Sequence, residues 1–180
     1  MEIVEPIRDL EDIRKIEEVL KQQSLRNLLF FLIGINCGLR ISDILNLNVE
    51  DVKNKTHISI IEKKTGKRKR FPLNKKLKPL LDKFTLKRSN KEPLFLSKFN
   101  NRMERTQCYR IINNVCKKVG ISYNVGTHTL RKTFGYHHYR KFKDVAILQK
   151  IFNHSSPEVT LRYIGINQDI IDESFKNFIL

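Results

Sequence analysis

The stretch GTHTLRKTFGYHHYRKFKDVAILQKIFNHSSPEVTLRY, residues 126–163, decides how the rest of the chain is interpreted. Residues three apart on a helix share a face, so His128 and Arg131 would present an imidazole and a guanidinium to the same point. A Ser-Pro-Glu helix start follows His154, and a helix that begins there carries Tyr163 about two turns along. Two histidines, an arginine and a phenol in this arrangement are what the attack of a side-chain oxygen on a phosphodiester would require.

Apolar residues at three- and four-residue steps predict helices over most of the chain on both sides of this stretch. Gly38 is placed to end one of them in a left-handed cap, so Arg40 lies between two helices with its backbone held at both ends. The predicted helices cover Arg8–Lys21, Ser24–Asn36, Ser42 or Asp43 to Leu47, Asn74–Lys87, Thr106–Val119, a helix capped by Gly126 or Thr127 that holds His128 and Arg131, Asp144–Phe152, Pro157–Tyr163 and Gln168–Leu180.

The segment between Leu47 and Asn74 changes to the alternation and β-branched content of strands. Pro72 confines the last of these strands to an edge or to its own end. The predicted fold is one mainly α domain with a small three-stranded antiparallel sheet, an α+β arrangement. The strands are expected at Val49–Val52, His57–Ile61 and Lys67–Leu73, with a turn at Lys63–Gly66 that would form a movable hairpin tip.

The charge of the chain points to a polyanionic partner. Lys and Arg total 35 against 19 Asp and Glu, a net charge of +16 in 180 residues, and the isoelectric point is about 9.9. Residues 53–91 hold fifteen basic and two acidic residues, whereas the first 20 residues hold seven acidic and three basic ones. This concentration favours nucleic-acid binding over a merely solvated face.

Cysteine usage and hydropathy exclude several classes of protein. Cys37, Cys108 and Cys116 are odd in number and lack Cys-x-x-Cys spacing, so neither a disulfide framework nor a zinc site is indicated. The longest apolar run, Leu28–Ile35, is too short to span a bilayer, and the N-terminus lacks the features of a signal peptide. The chain is therefore expected to be soluble and cytosolic, with reduced, buried thiols and no membrane partner.

Together, these motifs resemble the catalytic domain of the tyrosine recombinases, the phage integrase family. The resemblance extends from Arg8 to about Phe175. Each motif alone is weak, but their combination is specific. The motifs are Gly38-Leu-Arg40-Ile-Ser-Asp43, Lys64-Thr-Gly-Lys67 in a hairpin, His128-Thr-Leu-Arg131 with Phe134, and His154-Ser-Ser-Pro followed nine residues later by Tyr163.

The resemblance implies that Tyr163 attacks a DNA phosphodiester to form a 3′-phosphotyrosyl link, without ATP. Arg40 and Arg131 would stabilise the charge of the transition state, and His128 would assist the phenol. Lys64 would protonate the departing 5′-oxygen, and His154 would hold a phosphate oxygen. The carboxylates are not spaced to hold Mg²⁺, so no metal or other cofactor is expected. Double-stranded DNA is the implied partner, contacted through phosphates by Lys63, Lys67, Arg68, Lys69 and Arg70.

Several alternatives stay open at this point. Lys63 competes with Lys64 as the acid, and Asp43 suits an orienting partner or helix cap better than a metal ligand. A type IB topoisomerase would use similar residues, although such enzymes commonly carry Lys where His128 stands. A DNA-binding module without catalysis would also explain the charge, and a regulatory or assembly role through the C-terminal apolar stripe is a third alternative.

The chain departs from the family pattern in two places. The family usually has Gly where Asn153 stands, and Asn tolerates the left-handed geometry of such a turn. Family members normally carry an N-terminal core-binding domain, which has no counterpart in residues 1–180. We therefore expect a single catalytic domain, either excised or naturally short, of bacterial or phage origin and associated with the nucleoid. Self-association on DNA into a tetrameric synapse is expected, with residues 169–180 as a candidate contact. Ile171, Phe175 and Ile179 would then form an exchange surface between subunits, and packing of this stripe on its own domain is the equal alternative.

Overall fold

The helix Leu25–Cys37 lies at the centre of the structure, and its apolar sequence leaves almost no polar face. In the computed structural model, which describes residues 4–61, 66, 68–166, 175, 176 and 178, nine residues of this helix are buried. The neighbouring helices pack around it because this buries their own apolar faces away from water. The helices are α1 Leu10–Gln23, α2 Leu25–Cys37, α3 Ile41–Asn46, α4 Leu77–Thr85, α5 Arg105–Lys118, α6 Thr127–Phe142, α7 Val145–Phe152 and α8 Pro157–Tyr163.

Local capping signals account for most of these bounds. Gly38 ends α2 with φ 61° and ψ 23°, the left-handed conformation predicted for it. The Asp144 side chain accepts from the Ile147 backbone N–H at 2.9 Å and begins α7. Ser156 caps α8 through the Val159 N–H, and Pro157 occupies the first turn. These predictions are confirmed.

The sheet has two strands in the described residues, and the prediction of a third strand at Val49–Val52 was wrong. β1 His57–Ile61 and β2 Arg68–Pro72 pair antiparallel, with His57 opposite Pro72 at the strand end. Val49–Asp51 forms a 3₁₀ turn instead, closed by a capping box in which the Asn48 N–H donates to the Asp51 carboxylate at 2.7 Å. Val49 and Val52 are fully buried, so the apolar pattern reflected burial and not strand pairing.

Close helix contacts at glycines hold the C-terminal helices in place. A Cβ added at Gly34 of α2 would lie 2.6 Å from Leu130 Cδ1 of α6. A Cβ at Gly135 would lie 2.5 Å from Ile164 Cγ2 and 2.7 Å from Phe152 Cε2. Phe152 and Ile164 belong to a small second core, together with Leu148. Gly135 therefore sets how closely α7 and α8 approach α6.

Three further expectations concern the C-terminal helix, membrane spanning and the cysteines. The predicted helix Gln168–Leu180 lies mostly outside the described residues, of which Phe175 and Phe178 are 71% and 65% exposed. Within the described part of the chain, no helix combines the length and apolar character needed to cross a membrane. The three cysteines are free and buried, as predicted, and burial raises their pKa values to about 12.

Gly135→Ala should destabilise the protein, even though Ala is the better helix former by about 1 kcal/mol. The added methyl group has no room against Phe152 and Ile164, and overpacking of this kind costs about 1–3 kcal/mol. Denaturant unfolding measures the change. Asn114→Ala, at an exposed position of α5, should be neutral or stabilising, and a Gly135→Ala variant as stable as wild type would contradict the packing argument.

Candidate active site

The structure brings the ring of His128 to the hydroxyl of Tyr163. His128 lies in the first turn of α6 and Tyr163 is the last residue of α8, and the two are joined by a 3.3 Å contact between His128 Nδ1 and Tyr163 Oη. The tautomer determines which atom donates. A neutral ring with Nδ1 unprotonated would accept the phenolic proton directly.

Arg131 is buried, with 4% of its surface exposed, and is held by backbone carbonyls. Nη1 donates to the Gly38 carbonyl at 2.5 Å, and Nη2 donates to the Phe152 carbonyl at 3.1 Å. The guanidinium carbon lies 4.4 Å from the centroid of the Phe152 ring. Arg131 also acts on the Tyr163 phenol, whose pKa its charge lowers. This arrangement fixes the guanidinium before any ligand arrives.

Arg40 is the N-cap of α3 and follows the left-handed turn at Gly38, so its backbone is held between two helices as predicted. Its charge lowers the pKa values of His128, His154 and Tyr163, which places the guanidinium within electrostatic range of all three groups. The chain thus directs two arginines at one phenol from two separate elements.

His154 follows α7 and lies beside Tyr163, with ring centroids 5.0 Å apart in an edge-to-face arrangement. Its Nδ1 is 3.1 Å from the Thr160 hydroxyl oxygen. Asn153 has φ 55° and ψ 50°, the left-handed geometry that the family glycine would adopt, so the predicted turn survives the exchange of Gly for Asn.

Burial and nearby cations shift the pKa of Tyr163 in opposite directions, whereas both lower the pKa values of His128 and His154. Burial raises the pKa of Tyr163 above its ordinary value, and Arg131 and Arg40 only partly offset this effect. Burial also lowers the pKa of His128, with help from Arg105, Arg131, Lys132 and Arg40. For His154, burial followed by the charges of Arg131, Arg40 and Lys69 lowers the pKa to about 4. Both imidazoles are therefore mainly neutral at neutral pH.

The predicted DNA-binding residues fall into two groups. Lys63 and Lys67 lie outside the described residues, as does Lys64, the predicted general acid. The other three lie on β2, where Arg68 is exposed and Arg70 Nη2 is 3.0 Å from His57 Nδ1.

Lys69 differs from its neighbours on β2. Its Nζ donates to the Ile151 carbonyl at 2.5 Å, and its charge acts on His154. It therefore lies close to His154, a position that the basic run did not predict, and its contact with phosphates stays a prediction. The period-2 alternation with buried Phe71 was the signal that could have placed Lys69 on the inner face.

Three further residues at the site escaped the sequence interpretation. Lys132 is 8% exposed and its Nζ lies 5.4 Å from the centroid of the Tyr163 ring. Thr160 contacts His154, and Arg105 at the start of α5 acts on His128. The contacts of Lys132 and Arg105 have no local sequence signal, because they join residues brought together by packing. Thr160, by contrast, lies six residues after His154. Among the described residues, no three His, Cys, Asp or Glu side chains converge as a metal site.

A family model described as "Phage integrase family" matches residues 8–169. The chain therefore belongs to the phage integrase family of tyrosine recombinases. It is 44% identical over 179 residues to the probable integrase/recombinase YoeC of Bacillus subtilis (strain 168), covering 99% of this chain and 98% of YoeC. It is 28% identical over 171 residues to the tyrosine recombinase XerA of Pyrococcus horikoshii, of which it spans 59% while 92% of this chain is covered.

Solved structures agree on the fold. A crystal structure of XerA recombinase superposes with a TM-score of 0.78 at 22% identity, covering 97% of this chain and 65% of that one. The catalytic domain of bacteriophage HP1 integrase superposes with a TM-score of 0.67 at 21% identity, covering 97% of this chain and 95% of that domain. The mainly helical integrase fold and the tyrosine recombinase class predicted from the motifs are confirmed. The roles of individual residues stay predictions.

Lowering the pH from about 6.5 to about 4 should destabilise the protein in part through His154. Its folded-state pKa of about 4 lies below its ordinary 6.5, so in this window the unfolded chain binds a proton that the folded chain does not. The resulting loss is absent above pH 6.5 and complete below about 4. His154→Gln should flatten the dependence of the free energy of unfolding on pH, measured by denaturant unfolding at several pH values. An unchanged slope would contradict the assignment.

Asn153→Ala should destabilise the turn before His154, since a residue other than Gly or Asn in the left-handed region costs about 1–2 kcal/mol. Asn153→Gly is the matched control and should leave the stability close to that of the wild type, because Gly adopts φ 55° without strain. Thermal unfolding compares the two variants. Equal stability of the Ala and Gly variants would contradict a requirement for this backbone geometry.

Proposed function

We propose that the chain is the catalytic domain of a site-specific DNA recombinase that cleaves and rejoins strands through Tyr163, without metal or ATP. The observation that carries this proposal is the 3.3 Å contact between Tyr163 Oη and His128 Nδ1, beside a guanidinium fixed by two carbonyls. A nucleophile, a proton acceptor and an anion-stabilising cation thus occupy one small site.

In the first step, Tyr163 Oη forms a bond to phosphorus while the bond from phosphorus to the 5′-oxygen breaks. The phenolic proton passes to His128, and Lys64 protonates the departing 5′-oxygen. A free phenol at pH 7 costs about 4 kcal/mol to ionise, and burial adds to this cost at Tyr163, so a neutral neighbouring imidazole is the group needed. The reverse attack by a 5′-hydroxyl of a partner strand restores the phosphodiester and releases Tyr163.

Arg40 and Arg131 would bind the non-bridging oxygens of the reacting phosphate. Two N–H groups of Arg131 are already engaged by the Gly38 and Phe152 carbonyls, so its remaining donors are held in a fixed direction. A fixed donor stabilises the transition state without first being ordered. His154 would add a hydrogen bond through the ring nitrogen that does not contact Thr160.

Double-stranded DNA is the proposed substrate. Structural neighbours include XerH bound to a difH substrate and a lambda integrase dimer bound to a core site, and this chain carries a net charge of +16. The phosphates would be contacted by Lys63, Lys67, Arg68 and Arg70. Lys69, which donates to the Ile151 carbonyl, would instead place its charge near His154. Residues 1–180 would act as one catalytic domain that self-associates on DNA, with residues 169–180 contributing to the contact between subunits.

Tyr163→Phe should abolish formation of a covalent adduct with DNA, because the nucleophilic oxygen is lost. The protein is incubated with duplexes randomised around a 5′-bridging phosphorothiolate, whose cleaved strand cannot religate efficiently, and adducts are detected by a mobility shift. Sequencing the trapped DNA would reveal the preferred site.

Tyr109→Phe is the matched control for this experiment. Tyr109 is a half-exposed tyrosine on α5, and its variant should form the adduct normally. An adduct that persists in Tyr163→Phe, or that is lost only in Tyr109→Phe, would overturn the assignment of the nucleophile.

A further inference from the structure

Lys132 is a buried lysine beside the proposed nucleophile, with no part in the mechanism described above. It follows Arg131 on α6 and is 8% exposed. Its Nζ lies 5.4 Å from the centroid of the Tyr163 ring, within the range in which an ammonium is attracted to an aromatic face. A buried ammonium is costly unless other groups compensate it, so its position requires an explanation.

The N-terminal segment of residues 4–9 supplies the compensating charge. Burial lowers the pKa of Lys132, the carboxylate of Glu5 opposes this effect, and Arg8 adds to it. Glu5 is also paired with Arg8, with 2.6 Å between Oε2 and Nη2. The Glu5 charge therefore favours the protonated form of Lys132, whose ammonium faces the Tyr163 ring.

This segment is fixed along α6 by hydrogen bonds of its backbone. The Glu5 N–H donates to the Asn124 carbonyl at 2.9 Å, and the Ile7 N–H donates to the Thr133 hydroxyl at 2.9 Å. The turn after α8 also lies close to this segment, since a Cβ added at Gly165 would lie 2.8 Å from Arg8 Nη2. The position of Glu5 relative to Tyr163 is therefore set by the fold.

We propose that Lys132 is a positioning residue for Tyr163: its ammonium faces the phenol ring and favours the phenolate that attacks phosphorus. The inference rests on the proposed function only for the identity of the nucleophile. A cation over the ring stabilises the negative charge that an ionised phenol spreads onto its ring carbons. It also leaves the hydroxyl oxygen accessible to the phosphate.

The other charged groups at Tyr163 act at a different part of the side chain. Arg131 and Arg40 act on its hydroxyl end. Of the two neutral imidazoles, His128 contacts the hydroxyl oxygen and His154 packs against the ring edge-to-face. Among the described residues, Lys132 is the cation whose contact is with the ring itself. Removing the Lys132 charge should therefore make Tyr163 harder to ionise even with both arginines in place.

The first test needs no DNA. 3-Nitrotyrosine placed at position 163 ionises near neutral pH, where the ammonium carries its charge, and its phenolate absorbs visible light. Lys132→Met keeps the length of the side chain but removes the charge, and it should raise the titration midpoint by about half a pH unit. Lys132→Arg should restore the midpoint toward the wild-type value.

The second test is single-turnover cleavage of the duplex recovered by the trapping experiment. Lys132→Met should slow cleavage about threefold, which corresponds to about 0.7 kcal/mol, with DNA affinity unchanged. Lys132→Arg should recover most of the rate. Lys141→Met is the matched control on the same helix, because Lys141 Nζ lies 5.3 Å from the Phe142 ring in a cation–aromatic pair away from the site. It should leave both measurements unchanged.

Two outcomes would overturn the proposal. One is a Lys132→Met variant whose midpoint and cleavage rate match wild type. The other is a rate lost equally in the Met and Arg variants with no change in the midpoint, which would assign Lys132 to packing alone. A missing adduct in the wild-type protein would instead count against the proposed function. The titration midpoint of the 3-nitrotyrosine at position 163 would still test whether Lys132 stabilises the ionised ring.

Discussion

The buried guanidinium of Arg131 is the interaction on which the arrangement of the C-terminal half depends. It lies on α6 and binds the carbonyl at the end of α2 and the carbonyl at the end of α7. A buried charge without such partners would be strongly unfavourable, so these two chain ends must stay where the guanidinium reaches them. Arg40 follows the first carbonyl by two residues and His154 follows the second by two residues. One buried cation therefore fixes the positions of the other site residues.

The parts of the fold that depend on local chemistry could be predicted from the sequence. Gly38, Asp144 and the Ser156-Pro157 pair act within one turn of the chain, and the helix bounds they predict agree with the structure to within a few residues. The strand at Val49–Val52 was predicted wrongly for a physical reason. Alternation reports which residues are buried, but it does not report which backbone groups are paired. The capping box satisfies the Asn48 N–H locally, whereas the Val49 and Glu50 N–H groups donate to the carbonyls of Glu92 and Asn90 in a distant loop.

The residues of the candidate site also fall into those predicted by local spacing and those placed by tertiary packing. His128 and Arg131 share a helix face, and Tyr163 follows from a helix start, so these positions follow from spacing. Lys132 and Lys69 do not, because a lysine beside an arginine or within a basic run has no feature that distinguishes it from a solvated one. Their placement depends on the packing of α6 against α8 and of β2 against α7, which only the tertiary structure determines.

The electrostatics of the site suggest how substrate and base strength are linked in the proposed mechanism. The arginines that would bind the phosphate also help keep the two imidazoles neutral, since each positive charge lowers their pKa values. A bound phosphodiester brings a negative charge between these groups and offsets part of that effect. The proton affinity of His128 would then increase only when the scissile phosphate is in place. The same side chains would thereby bind the substrate and, through its charge, strengthen the proton acceptor next to Tyr163.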